Sequence, residues 1–341
     1  MKPQELTNTI KALFANDKGI LAMDESTKTC NQHFASVGVE QTEVERRNWR
    51  ELIITTAGLA ECISGVILYD ETIRQCKLDG TPFIQLLKDA GILIGIKVDT
   101  GVKKMAEHSD ETITEGLDGL RERLIEYKAR GASFAKWRAV FHIGPNLPSQ
   151  ACIEANSLAL ADYVRLCYEQ GIVPIVEPEI LMEGNHTLAD CYAATEHVLR
   201  VLFQYFESKN IQLEGMILKP NMILSGLTCA AQASLEEIGK TTLTCLRLSV
   251  PSTVGGISFL SGGQSPQLAS ARLNNLEIHT QNILLHWPIS FSFARAIQQP
   301  ALSIWHGESS NIVAAQHAIF HRARCDQAAR RGQYTSAMEQ I

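Results

Sequence analysis

Eight short apolar segments recur along the chain, and each one stops at a polar or charged residue. They are continuously apolar, which indicates strands buried on both faces, as in a parallel sheet. Their spacing of roughly 30 residues or somewhat more is typical of a βα unit. The segments are GILAM before Asp24, GVILY before Asp70, ILIGI before Lys97, ASFA before Lys136, IVPIV before Glu177, GMIL before Lys219, GISFL before Ser261 and PISF before Ser292.

Helix signals lie between the apolar segments. Thr42 and Ser234 are each followed three residues later by a glutamate, the spacing of a capping pair at a helix start. Gly131 and Gly171 each follow a segment of helical periodicity and indicate a helix stop. Helices are therefore predicted over 42–57, 119–130, 157–170, 189–208, 234–248, 264–276 and 311–331.

The alternation of strands and helices runs through the whole chain without a linker or a change of composition. Eight such alternations favour a closed barrel over an open, doubly wound sheet. The fold class expected is α/β, as a single parallel (β/α)8 TIM barrel. We expect one domain over residues 1–341, with a short C-terminal tail from about residue 332.

Composition excludes several functional classes. The 341 residues are 45% apolar and 20% charged, which suits a large core. A net charge of −6 argues against a nucleic-acid surface, and no apolar run approaches the roughly 18 residues of a membrane span. The N-terminus has no signal-peptide core, and the nine cysteines contain no CxxC pair. Free thiols in a reducing cytoplasm are therefore expected.

The residues at the ends of the apolar segments are the candidate catalytic groups, because catalytic side chains of barrels lie where the strands end. Lys219 in GMILKPN follows a buried strand, and burial favours the neutral, nucleophilic amine. The alternative is a lysine that extends to water. Several charges at one barrel mouth are destabilising unless they are paired or functional, which favours the catalytic interpretation. The set is Asp24, Lys97, Lys136, Arg138, Glu177, Glu179, Lys219, Ser261 and Ser292.

These residue types suit imine chemistry. The amine of Lys219 can attack a ketone, and the resulting iminium ion accepts electrons when the neighbouring carbon–carbon bond breaks. Glu177 and Asp24 are candidates for the acid and base steps. The ammonium of Lys136 would lower the pKa of Lys219, and Glu179 is expected to pair with Lys136. A purely structural ion-pair lattice of the charged residues on these strands is the alternative.

A phosphate site is predicted after the seventh strand. Ser261, Gly262 and Gly263 precede a predicted helix, whose free N–H groups would face an anion. Barrels often bind phosphate in the loops after strands seven and eight. Arg295, shortly after the eighth strand, would add a bidentate contact.

Taken together, these residues resemble the class I fructose-bisphosphate aldolases, from Gly19 to about Thr335. The resemblance implies a (β/α)8 barrel that cleaves fructose 1,6-bisphosphate into dihydroxyacetone phosphate and glyceraldehyde 3-phosphate, in glycolysis and gluconeogenesis. It implies no metal and no other cofactor, phosphorylated ketoses and triose phosphates as partners, and a homo-oligomer, by analogy a homotetramer. The shared motifs are KGILAMDEST at 18–27, GIKVDTG at 95–101, FAKWR at 134–138, VPIVEPEIL at 173–181, LKPNM at 218–222 and ISFLSGGQS at 257–265.

The resemblance also implies a role for each site residue. Lys219 would form the Schiff base, Glu177 would handle the carbinolamine water and the C4 proton, and Asp24 would orient and deprotonate substrate hydroxyls. The charged cluster around the imine would be Lys136, Arg138 and Glu179. Substrate contacts would come from Ser261, Gly262 and Arg295 at the C1 phosphate and from Ser26, Thr29 and Lys97 on the side of the C6 phosphate, and Ser292 would also bind substrate.

Three departures from the family pattern bear on substrate choice. Gln32 and His33 replace a Lys-Arg pair that helps to hold phosphate, which should weaken capture of the second phosphate. Ala294 replaces a glycine beside the C1 phosphate site. The chain ends at Ile341, without the family's tyrosine-ended tail, so another proton donor to the enamine is expected. Fructose 1-phosphate and sedoheptulose 1,7-bisphosphate are alternative substrates. A pyridoxal-phosphate enzyme and a catalytically silent scaffold are alternatives of other classes.

Two weaker signals lie near the C-terminus. His317 and His321 are four residues apart on a predicted helix, but no third ligand is evident, so no metal site is expected. The basic residues of this helix are expected to form a solvated face or a subunit contact: Arg322, Arg324, Arg330 and Arg331.

Overall fold

The eight apolar segments form eight parallel strands that close into a barrel. The computed structural model describes residues 3–106, 110–281 and 283–340. Pairing of Ile20 with Ser292 joins the first strand to the last and closes the sheet. The (β/α)8 prediction is therefore confirmed. The barrel strands are β1 Gly19–Met23, β2 Ile63–Leu68, β3 Leu93–Lys97, β4 Ala132–Phe141, β5 Val173–Ile180, β6 Ile217–Leu218, β7 Gly256–Phe259 and β8 Ile289–Phe293.

Aromatic rings fill the barrel interior, and glycines face them. A Cβ atom on Gly95 would lie 2.1 Å from the ring of Phe134, and one on Gly19 would lie 2.2 Å from the ring of Phe291. No larger residue fits at either glycine unless a ring moves. The strands are thus buried on both faces, as their continuous apolar character predicts.

Helices pack around the barrel, and the predicted ones are present with shifted ends. The helix predicted over 157–170 begins earlier, because Ser149 caps it by accepting a hydrogen bond from Cys152 N at 3.2 Å. Ser234 and Glu237 form the predicted reciprocal capping box. The helices of the described residues are α1 Pro3–Leu13, α2 Thr27–Ser36, α3 Glu43–Ile54, α4 Leu59–Cys62, α5 Asp70–Arg74, α6 Phe83–Asp89, α7 Leu120–Arg130, α8 Gln150–Glu169, α9 Leu188–Ser208, α10 Leu235–Ser249, α11 Pro266–Thr280, α12 Arg295–Trp305 and α13 Ile312–Arg330.

An antiparallel hairpin between β3 and α7 was not predicted from the sequence. Its strands are Gly101–Lys104 and Thr112–Glu115. Thr114 anchors it, because its hydroxyl donates to the carbonyl of Arg138 at 2.8 Å and its N–H donates to Asn156 at 3.1 Å. The hairpin therefore lies over one side of the barrel mouth.

The solvated face predicted for the four arginines near the C-terminus is wrong for two of them. Arg324 and Arg331 are exposed, whereas Arg322 is buried and Arg330 is half-buried. Arg322 is only 2% exposed, and its Nη1 atom lies 2.6 and 2.7 Å from the two carboxylate oxygens of Glu339. Its Nη2 atom donates to the carbonyl of Pro266 at 2.9 Å. Arg330 Nε donates to the carbonyl of Ile289 at 2.9 Å. These two arginines connect α13 to the segment after it, to the start of α11 and to β8.

Two further features concern the chain as a whole. Among the helices of residues 3–106, 110–281 and 283–340, none combines the length and apolar character that crossing a bilayer requires. All nine cysteines are free thiols.

Candidate active site

A cleft of about 820 Å³ opens at the carboxyl ends of the strands. Every site residue proposed from the sequence lines it, including those at or just after the ends of β1 and β6, those on β4 and β5, those in the loop after β7, and those on and just after β8. The convergence follows from the fold, because all strands of a parallel barrel end at the same rim.

Four buried charges form a chain across the cleft floor. Lys136 Nζ lies 2.7 Å from Asp24 Oδ2 and 3.1 Å from Glu177 Oε2. Lys219 Nζ lies 3.3 Å from the other oxygen of Glu177. None of the four residues is more than 6% exposed. Each carboxylate therefore lies beside a lysine amino group, and Glu177 lies between two of them.

The backbone holds Lys219 in place although β6 contains only two residues. Lys219 N–H donates to the carbonyl of Val176 at 2.7 Å, which continues the β5–β6 pairing one residue further. Pro220 donates no such bond, but its carbonyl accepts from Leu260 N–H at 3.1 Å. The lysine side chain thus leaves the sheet from a fixed point on the sixth strand.

The two lysines have opposite electrostatic environments. Burial lowers the pKa of Lys219; the charge of Glu177 opposes this effect, and that of Lys136 adds to it. Burial also disfavours charge on Lys136, but the carboxylates of Asp24 and Glu177 outweigh it and raise the pKa of Lys136. Lys136 therefore remains an ammonium ion, while Lys219 is shifted toward the nucleophilic amine.

The two carboxylates remain ionised. Burial would raise the pKa of Asp24 and that of Glu177, but the charges of Lys136 and Lys219 outweigh it and lower both pKa values. Burial and the charge of Asp24 raise the pKa of Glu25 to about 7. Asp24 and Glu177 are therefore available as bases at neutral pH, and Glu25 titrates near neutrality.

Glu179 does not pair with Lys136, so that expectation is wrong. Its Oε2 atom accepts from Arg138 Nε at 2.5 Å. Glu179 lies level with Val140 in the pairing of β4 with β5, nearer the rim than Glu177, which lies level with Arg138. Arg138 reaches this level, whereas Lys136 binds the two carboxylates below.

The loop after β7 has the backbone shape that was predicted for an anion site. Gly262 and Gly263 have φ values of 52° and 82°, in the left-handed region that favours glycine. A Cβ atom on Gly263 would lie 3.1 Å from Arg295 Nη2, so the guanidinium group lies against this loop. Ser265 caps α11 directly after it. Ser292 Oγ is buried beside the loop and has no hydrogen-bond partner among the described residues.

Further polar residues line the cleft at the end of β3 and at the start of α2. Strand β3 is four strands away from β7 in either direction around the barrel, so Lys97 at its end faces the glycine loop. Lys97 Nζ lies 2.6 Å from Asp99 Oδ1. Ser26 and Thr29, at the start of α2, have their hydroxyl oxygens 3.0 Å apart. Lys97 and the glycine loop therefore lie on opposite sides of the barrel mouth, and Lys136 and Lys219 lie on or just after strands between them.

The replaced Lys-Arg positions do not both lie where the sequence suggested. Gln32 is exposed and lines the cleft. His33 also lines it, but it lies near Arg295, at the end with the glycine loop. Burial and the charge of Arg295 lower the pKa of His33, so this histidine is neutral at pH about 7. The position of the missing second cation is therefore on the side of the cleft that holds Arg295 and the glycine loop.

The backbone at position 294 does not need a glycine, so Ala294 can occupy it. Its φ is −109°, outside the left-handed region that favours glycine, and it precedes α12 as the N-cap residue. The φ angle therefore shows no sign of the backbone restriction that was expected from an alanine at this position.

Sequence reasoning missed several cleft residues. Asp99 follows Lys97 by two positions, and its acidic side chain so close to a strand end could have identified it as a candidate. Lys28 lies on α2, away from any strand end, and Tyr69 follows β2 in a position that was not weighed. A search confined to charged strand ends does not find such residues.

The histidine pair lies elsewhere. His317 and His321 line a separate pocket of about 310 Å³ on α13. Within the part of the chain that the structure describes, no group of three or more His, Cys, Asp or Glu side chains could hold a metal ion.

The family model and the similar proteins share one description, fructose-bisphosphate aldolase. A family model described as fructose-bisphosphate aldolase class-I matches residues 5–341. A protein of Xanthomonas axonopodis pv. citri, named probable fructose-bisphosphate aldolase class 1, is 51% identical over 95% of this chain and 96% of its own length. The fructose-bisphosphate aldolase of Dictyostelium discoideum is 46% identical, over 97% of this chain and 93% of its own.

A solved structure is also similar. It is the fructose-bisphosphate aldolase of Plasmodium falciparum in a ternary complex with TRAP and a small-molecule inhibitor. The TM-score is 0.95 and the identity is 38%, over 98% of this chain and 96% of that one.

Proposed function

The chain belongs to the class I fructose-bisphosphate aldolase family, and we propose that it cleaves fructose 1,6-bisphosphate reversibly through an imine on Lys219. The products are dihydroxyacetone phosphate and glyceraldehyde 3-phosphate, in glycolysis and gluconeogenesis. The observation that carries the proposal is the 3.3 Å contact between Lys219 Nζ and Glu177 Oε1. It places a nucleophile of lowered pKa beside an ionised carboxylate.

Imine formation uses this pair. The neutral amine of Lys219 attacks the C2 carbonyl carbon and forms a carbinolamine. Glu177 takes a proton from the nitrogen of the first adduct and delivers it to the oxygen, which gives the neutral carbinolamine. A second proton, taken up from solvent through Glu177, allows that oxygen to leave as water. The iminium ion that remains on Lys219 is the electron sink. This step needs an ionised Glu177 at its start, and the ammonium group of Lys136, 3.1 Å away, maintains that charge.

Cleavage follows from the same arrangement. A carboxylate removes the proton of the C4 hydroxyl, the C3–C4 bond breaks, and its electron pair moves to the iminium nitrogen. Glyceraldehyde 3-phosphate leaves, and an enamine remains. Glu177 is proposed as the base, and Asp24 orients the substrate hydroxyls. Protonation of the enamine carbon and hydrolysis of the imine then release dihydroxyacetone phosphate and the free lysine.

Lys136 is proposed to maintain the charge state of the site. Its ammonium group lies within 3.1 Å of both Asp24 and Glu177 and holds them as carboxylates. Arg138 and Glu179 form a separate pair nearer the rim, which supports the β4–β5 side of the cleft. The ion-pair lattice that was weighed as an alternative is thus present, and it is compatible with catalysis.

The two ends of the cleft suit two phosphate groups. Ser261, Gly262, Ser292 and Arg295 are proposed for the C1 phosphate, and Ser26, Thr29 and Lys97 for the C6 phosphate. Fructose 1-phosphate and sedoheptulose 1,7-bisphosphate remain alternative substrates, because Gln32 supplies no cation for the far phosphate. Pyridoxal-phosphate chemistry and a silent scaffold remain alternatives of other classes, which the names of the relatives do not favour.

Borohydride trapping tests the imine. Reduction in the presence of dihydroxyacetone phosphate should attach the sugar to Lys219, as read by peptide mass spectrometry. Lys219→Met should abolish the adduct, whereas Lys240→Met, at an exposed residue paired with Glu236, should leave it unchanged. EDTA should not alter cleavage, because the proposed mechanism uses no metal or other cofactor. An adduct on another lysine, or cleavage lost with EDTA, would contradict the proposal.

We also propose a cytoplasmic location, a single domain and a homo-oligomer. The relative from Arabidopsis thaliana, 46% identical, is named cytosolic, and the nine free thiols suit a reducing compartment. Light scattering should give a multiple of the 37.6 kDa chain mass, by family analogy four, and one cooperative unfolding transition is expected. Export of the protein, a monomer mass or two separate transitions would contradict the corresponding proposal.

A further inference from the structure

The cations that line the cleft divide into paired and unpaired groups. The paired ones lie within 3.3 Å of a carboxylate oxygen: Lys97, Lys136, Arg138 and Lys219. Lys28 and Arg295 line the same cleft, and neither has a carboxylate partner among the residues that the structure describes. Two cations are therefore free for an anion, and only Arg295 has a role so far.

Lys28 has an unfavourable local position. It is the second residue of α2, whose first turn contains no acidic side chain. A helix start carries a partial positive charge, so a cation there is repelled and an anion is favoured. The local conflict disappears when an anionic group is bound next to Lys28. Residues that break a local rule in this way are most often found at functional sites.

Lys28 also lies on the same side of α2 as Gln32. It precedes Gln32 by four residues, which is one helical turn, and both side chains line the cleft. The hydroxyl groups of Ser26 and Thr29 flank Lys28 in sequence. These are the residues proposed for the far phosphate.

We propose that Lys28 is a specificity-determining residue that binds the phosphate at the far end of the ketose from C1. It supplies, one turn earlier on the helix, the positive charge that Gln32 lacks. The inference rests on the proposed aldolase function and names the group that favours ketose bisphosphates over monophosphates. A substrate with a single phosphate at C1 leaves Lys28 without a partner.

The test compares substrates in one variant series. The measured quantity is kcat/KM for fructose 1,6-bisphosphate divided by kcat/KM for fructose 1-phosphate. Lys28→Gln should lower this ratio about tenfold, mainly through KM for the bisphosphate, because one charge-assisted phosphate contact is lost. The double change Lys28→Gln with Gln32→Lys should restore most of the ratio, because the cation returns one turn away on the same side of α2.

A matched control separates this contact from general electrostatics. Lys209→Gln removes the same charge from an exposed position at the end of α9 and should leave the ratio unchanged. A ratio in Lys28→Gln equal to that of the unmodified protein, or an equal fall in Lys209→Gln, would overturn the proposal. Borohydride trapping of dihydroxyacetone phosphate on Lys219 should persist in Lys28→Gln. Failure of trapping in the unmodified protein would instead contradict the proposed function.

Discussion

The Nζ atom of Lys219 lies 3.3 Å from Oε1 of Glu177, at the end of the sixth barrel strand. Glu177 raises the pKa of Lys219, while burial and the charge of Lys136 lower it. The reactivity of the lysine is therefore set by two neighbours of opposite sign, and each can be removed separately.

We expect these neighbours to shift the pH dependence of imine formation in opposite directions. The rate should rise with pH as Lys219 loses its proton, with a midpoint below the 10.5 of an ordinary lysine. Glu177→Gln should move the midpoint to lower pH, and Lys136→Met should move it to higher pH. The measurement is the rate of reductive trapping against pH, normalised to its plateau. Shifts in the same direction, or no shift, would contradict this electrostatic account.

Removal of Lys136 should also destabilise the fold. Lys136→Met leaves Asp24 and Glu177 buried without their shared counter-ion, and breaking such a buried pair costs about 3–5 kcal/mol of unfolding free energy. The loss should be smaller near pH 4 than near pH 7, because unpaired buried carboxylates take up protons as the pH falls. Urea unfolding at both pH values measures it.

A surface pair provides the comparison for Lys136→Met. Lys240→Met breaks an exposed ion pair with Glu236 and should cost no more than about 1 kcal/mol. Equal losses in the two variants would show that burial of the Lys136 cluster does not determine its energy.

The Arg322 network predicts a stability effect far from the cleft floor. Arg322→Leu leaves Glu339 without its cation and leaves the Pro266 carbonyl without one donor, so the free energy of unfolding should fall by about 3–5 kcal/mol. Tyr334→Phe removes only the 2.7 Å hydrogen bond from the phenol to Glu339 and should cost about 1 kcal/mol. The experiment is denaturant unfolding of both variants, and similar costs would exclude a central role for Arg322.

Asp326 predicts a pH dependence of stability with a definite sign. Burial raises its pKa to about 7, from 3.8 for an ordinary aspartate, and Arg322 only partly opposes this. The native state keeps a proton that the unfolded chain has released, so stability should fall as the pH rises from about 4 to about 7. In Asp326→Asn this contribution is absent, so the difference in stability, variant minus unmodified protein, should increase over the same range. A difference that stays constant across the range would contradict the assignment.

Much of the barrel could be predicted from the sequence, because a strand that is buried on both faces is a continuous apolar segment of the chain. Each apolar segment forms a strand, and seven of the eight residues that end these segments line the cleft, the exception being Asp70, which begins α5. Lys219, Glu177, Asp24 and Lys136 were found in this way, since parallel strands all end at one face. The hairpin after β3 was missed because its hydrogen-bond partners on β4 and α8 are distant in sequence.

By itself, the sequence determined which strand ends carry charge and hence which residues meet at one mouth. Only the tertiary structure decided which of these charged side chains form ion pairs with each other. The register of β4 against β5 places Glu179 where Arg138 can pair with it. The direction of α2 places His33 near Arg295 and Lys28 in the cleft. Strand and helix periods are local properties of the chain, whereas the relative shift and orientation of neighbouring elements depend on packing across the whole barrel.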